Sequence, residues 1–132
     1  MRKYYKVVTP DLKSCIVASI EVQYNLNTKV KPKNNSKLFV FDNLLQAKQF
    51  RANYGGHIYS CYVTNPTKPV IYTPNLYTCN SKFWSVYRKA KKQKRNANKV
   101  IYNYYSKLRV YYNRWPLGTI WVDSVTLLEE VK

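Results

Sequence analysis

Acidic residues are scarce in this chain and unevenly placed. Six stand against 23 lysines and arginines, at Asp11, Glu21, Asp42, Asp123, Glu129 and Glu130. None falls between Asn43 and Val122, a stretch of 80 residues that carries 14 cations. Glycine is nearly absent too: with Gly55, Gly56 and Gly118 alone, no glycine-rich phosphate loop can be built. One histidine, His57, and three cysteines, Cys15, Cys61 and Cys79, match no zinc spacing and supply no Cys/His or Ser/His/Asp set, so neither metal nor cofactor is expected. Glu129 and Glu130 read as exposed strand-end carboxylates, not a catalytic pair. No apolar run approaches the 18 or so residues of a membrane span, and the start Met1-Arg2-Lys3-Tyr4-Tyr5 has no leader character. The expectation is a cytoplasmic protein with no membrane partner, and the lack of catalytic sets points to a binder and not to an enzyme.

What the chain does contain is enough to fold. Its 132 residues are 45% hydrophobic and 16% aromatic, with 14 tyrosines, which suits one domain over 1–132. A net charge of +17 opposes folding by self-repulsion unless an anionic partner offsets it.

Tyr4–Val8 reads as a strand ending at the turn Thr9-Pro10-Asp11, and Cys15–Tyr24 alternates as a half-buried strand does. A polar loop follows over Asn25–Lys37. Leu38–Phe41 reads as a short strand, with Asp42 as N-cap of a helix reaching about Asn53 that turns Leu44, Leu45, Ala47 and Phe50 inward. Gly55-Gly56 closes it, and His57–Thr64 is the next strand. Two prolines between Thr67 and Ser81, Pro69 and Pro74, leave room for a short strand at Val70–Tyr72.

From Phe83 to Trp115, apolar positions recur by fours and threes through Tyr87, Ala90, Ala97, Ile101, Tyr104, Leu108 and Tyr111, interrupted by Lys94. This predicts a long basic helix capped by Ser81, or a pair of helices broken near Lys94. Unbroken, it would extend about 50 Å and either project or pair with a second copy, so a homodimer is one expectation. Ile120–Val131 is the last strand. The order predicts an α+β fold: a small mixed or antiparallel sheet packed on a short helix and the long basic helix or helix pair, with 81–115 a basic helical insertion.

The cluster Arg88, Lys89, Lys91, Lys92, Lys94 and Arg95, with Lys99 and Arg109 beyond it, points to phosphate contacts that release counterions and are largely indifferent to sequence. Trp84 and Tyr105 lie one position off the core face and are the expected stacking rings, with Tyr102 and Tyr112 nearby. Together these residues predict RNA or DNA binding, with single strands held at least as well as duplex. A cation run is also what a merely solvated helix face looks like, and tyrosines at helical spacing what a core looks like. The 80 acid-free residues tip the reading toward contact.

The segments YKVVTPDLKS, LFVFDNLLQAKQF, IYSCYVTNP and GTIWVDSVTLLEEV resemble pieces of a small phage-encoded domain family. That resemblance implies a reduced ADP-ribosyltransferase-like sheet and a role against host defence, such as inhibition of CRISPR immunity, acting on a host nucleoprotein. The chain departs from the transferase pattern, because no first-strand Arg or His pairs with a Ser-Thr-Ser and Glu-x-Glu set. The alternatives are a protein that inhibits a host complex by protein contact and a small transferase-like enzyme.

Overall fold

A computed structural model describes residues 2–14, 22–33, 36–70, 72–73, 81–107 and 113–132. Its elements are β1 (Tyr4–Val8), β2 (Lys29–Val30), β3 (Leu38–Phe41), α1 (Leu44–Tyr54), β4 (His57–Thr64), β5 (Tyr72–Thr73), α2 (Ser81–Lys92), α3 (Ala97–Lys107), β6 (Asn113–Arg114), β7 (Thr119–Val122) and β8 (Ser124–Val131). Six strands form one sheet in the order β2-β8-β4-β1-β3-β7, with every strand pair antiparallel, and β5 pairs with β6 apart from it. The α+β class therefore holds, with an antiparallel sheet.

Period-two alternation explains the two faces of the sheet. One face carries Tyr4, Val8, Leu38, Val40, Cys61, Val122, Val125 and Leu127, and buries them with Val22 and Tyr24. The other face is shared between helices. Val7, Phe41 and Ile58 meet Ala47 and Phe50 of α1, while Phe39 and Trp121 meet an aromatic cluster built from α2 and α3. In that cluster Phe83, Trp84, Trp115 and Trp121 pack at mostly steep interplanar angles, as with Trp84 on Trp121 at 4.9 Å between centroids and 60°.

Several sequence-based expectations are corrected. Asn43, not Asp42, caps α1: its side chain accepts from the Gln46 amide at 3.2 Å, while Asp42 faces Arg2. Leu45 is 64% exposed, because α1 lays only a narrow stripe on the sheet. The loop expected over Asn25–Lys37 contains β2, which pairs with β8. The final strand is two strands. Asp123 breaks it, donating its backbone N–H to the Thr64 carbonyl at 2.9 Å, and β7 and β8 diverge to opposite sides of the sheet order. A single joining residue between such distant positions requires a strongly coiled sheet. Most of the strand expected over Cys15–Tyr24 lies outside the described residues. The short strand expected at Val70–Tyr72 is Tyr72–Thr73, paired with β6.

The long helix is corrected as well. It ends at Lys92, where Lys94 adopts φ 56° and the amides of Lys94 and Arg95 bond back to the carbonyls of Lys91 and Ala90. That pair of bonds is a Schellman stop, with a lysine in the left-handed place glycine prefers. Asn96 then caps α3, accepting from the Lys99 amide at 3.2 Å. The helix pair is the form present, and the 50 Å projecting helix on which the homodimer expectation rested is not. Nor does the periodicity run on to Trp115 as helix, since Asn113–Arg114 is strand β6.

Candidate nucleic-acid interface

The hairpin of α2 and α3 is anchored by its aromatic side and presents its cations on the other. Phe83, Trp84, Ala90, Ile101 and Tyr105 are buried. Lys82, Arg88, Lys89, Lys91, Lys92, Lys94, Arg95, Lys99 and Lys107 are all exposed. No acidic residue occurs in either helix or in the turn between them. Of the cations expected at the site, Arg88, Lys89, Lys91 and Lys92 follow one another along α2, Lys94 and Arg95 sit in the turn, and Lys99 opens α3. Arg109 lies outside the described residues.

The two expected stacking rings are elsewhere. Trp84 is fully buried and Tyr105 is 7% exposed, both within the aromatic cluster, so neither offers a face to a base. The reason is the break at Lys94. α2 packs its rings on Phe39 and Trp121 of the sheet and α3 packs on α2, so the hairpin buries one position more than the face a single helix would hide. Ile101 is buried as expected, whereas Ala97 and Tyr104 are partly so, and Leu108 lies outside the described residues. Tyr102, 45% exposed on α3 close to Lys99 in sequence, keeps its ring in reach of solvent.

The structure adds residues that sequence reading passed over. A groove of about 490 Å³ runs between α2 and the chain that leads into β3, lined by Lys31, Pro32, Ser36, Lys37, Tyr87, Arg88, Lys91 and Asp123. Lys37 donates to Asp123, which also accepts from the Asn65 side chain at 2.9 Å. The Lys37 contact holds the Asp123 carboxyl below the usual carboxylate range. The Ser36 hydroxyl donates to the Lys33 carbonyl at 2.6 Å and steadies the approach to Lys37. Arg88 is oriented along its helix by a long contact, 3.4 Å, from Nε to the Trp84 carbonyl. Nothing in the spacing of Lys31 and Lys37 marks them as neighbours of Arg88, fifty residues further on.

Other titratable groups lie apart from this surface. His57 and Glu130 approach at 3.1 Å across β4 and β8. Lys6 is buried on the opposite sheet face, where its ammonium donates to the Phe39 carbonyl at 2.7 Å and lies 5.5 Å from the Tyr24 ring centroid. Burial pushes the nearby Cys61 thiol up to about 12. Among the described residues no three His, Cys, Asp or Glu side chains gather as a metal site would require, and no helix is long and apolar enough to cross a membrane. Comparison of the chain with family models, with curated proteins and with solved structures returns no match.

Proposed function

We propose that this protein binds RNA or single-stranded DNA through the basic face of the α2–α3 hairpin, as an accessory protein and not as an enzyme. The observation that carries this reading is the separation of roles within the hairpin. Its apolar side is consumed by the aromatic cluster, and its outer side is a continuous run of exposed cations with no acid among them. Such a surface repels itself, and neutralising it with phosphates releases the counterions condensed on the nucleic acid. Tyr102 takes the stacking role first expected of Trp84 and Tyr105. A host nucleoprotein is one setting in which such a strand would be met.

Fluorescence anisotropy with labelled single-stranded RNA, single-stranded DNA and duplex tests the reading. Affinity should fall by orders of magnitude between about 50 and 200 mM salt, with single strands bound at least as well as duplex. Retention of a cellular protein after nuclease treatment, with no direct oligonucleotide binding, would replace it with a protein-contact function.

A further inference from the structure

The outer cations of α2 stand exposed along the helix. The groove beside them is a different kind of place. Four cations line it, Lys31, Lys37, Arg88 and Lys91, against the single acid Asp123. Asp123 is already engaged by Lys37 and Asn65, and among the described residues Lys31, Arg88 and Lys91 have no carboxylate partner. Three uncompensated cations thus converge on one concavity from two parts of the chain. Converging like charge costs stability, and a concave wall of low dielectric focuses the field they create. An anion seated there relieves the repulsion.

The size and walls of the groove narrow the choice of anion. About 490 Å³ lies within the range of sites that hold a small organic molecule, and is far more than a lone phosphate requires. Pro32 and Tyr87 add apolar surface to it, as do the methylene stems of the lysines. The Tyr87 ring is fixed from behind, edge-on to Trp84 at 6.0 Å and to Trp121 at 5.0 Å, each at 85°. The wall is therefore preorganised, which spares a ligand the cost of ordering it.

From this convergence of cations on a wall of Pro32 and Tyr87, we infer that the groove holds one nucleotide unit of a single strand, with its phosphate at Arg88, Lys91 and Lys31. The inference rests on the nucleic-acid reading above and adds to it a defined seat. A duplex can offer the groove a phosphate but not an unstacked nucleoside, so the groove also supplies a preference for single strands that the outer cations cannot.

The test is an NMR titration of the full chain with uridine 5′-monophosphate, with inorganic phosphate and uridine as separate arms. The monophosphate should move the backbone amides of Lys31, Ser36, Arg88, Lys91 and Asp123. Inorganic phosphate should move those of Lys31, Arg88 and Lys91 at several-fold weaker affinity, and uridine alone should bind more weakly still. The double variant Lys31→Gln/Arg88→Gln, folded by its amide spectrum, should lose about tenfold or more in affinity for the monophosphate. Shifts confined to Lys89, Lys92, Lys94 and Arg95 would overturn the inference, as would equal affinity for phosphate and monophosphate. Anisotropy with a labelled single strand separates the two levels. Strand binding without groove shifts removes the groove alone, whereas no strand binding at any salt removes the wider reading and the strand with it.

Discussion

Replacing Arg88, Lys89, Lys91 and Lys92 together with glutamine measures how the hairpin meets a strand. All four side chains are exposed, and none has an acidic partner among the described residues. Each phosphate contact to a single strand contributes about 0.7 to the slope of log affinity against log salt. If one strand touches all four, the slope falls by about 2.8 and the affinity near 0.1 M salt drops several-hundred-fold. Arg88 and Lys91 line the groove, however, while Lys89 and Lys92 do not. A strand that follows only one of these surfaces touches two cations, and the slope then falls by about 1.4 with a loss near 25-fold. Either outcome leaves the fold intact, because exposed substitutions of this kind stay within about 0.5 kcal/mol each. Relief of like-charge pairs three and four residues apart, such as Arg88 with Lys92, should hold the melting temperature or raise it. The assay is filter binding or anisotropy across a salt series, with circular dichroism as the control for folding. An unchanged slope in a folded variant would refute the assignment of α2 as the contact surface.

Four further outcomes are expected. Trp84→Ala should cost about 3–5 kcal/mol in denaturant unfolding, and Trp84→Phe less, with Trp84→Phe keeping its single-strand affinity; a stable Trp84→Ala that fails to bind would return this ring to the interface. Lys94→Gly should raise stability by up to about 1 kcal/mol, by placing glycine where φ is 56°, while lowering the salt slope by at most about one contact; a destabilised variant would contradict the Schellman stop. With Cys15 and Cys79 replaced by serine, Cys61 should resist a thiol reagent at about pH 8 in the native protein and react after unfolding, since burial raises its pKa to about 12; rapid native labelling would contradict that burial. The Asp123 carboxyl is held below its ordinary value, so its pairing stabilises the fold above the unfolded pKa and is lost as pH falls through the folded one. Asp123→Asn should therefore flatten the acid limb of stability below about pH 4, and an unaltered limb would show that the pairing contributes nothing.

Local patterns made much of this molecule legible from sequence. Aromatic and β-branched runs over Tyr4–Val8, Leu38–Phe41 and His57–Thr64, bounded by turn or cap residues, mark strands because such side chains fit a pleated, largely buried surface. Asp42 and Asn43 both offer a side-chain oxygen that can cap a helix, so the sequence cannot separate them and only the backbone geometry selects Asn43. The cations of α2 are visible in the sequence because charge needs no folding to be counted. What the tertiary structure decided is which surfaces face one another. Period alone placed Trp84 and Tyr105 beside the core face, but packing a helix on two neighbours pulled both rings inside. Lys31 and Lys37 carry no local mark of function. They meet Arg88 and Lys91 only because β2 pairs with the start of β8 and β3 pairs with the end of β7, which brings Lys31 and Lys37 to Asp123 beside α2. Periodicity and capping are properties of neighbours in sequence, whereas a groove is a property of distant segments made adjacent by burial of their apolar faces.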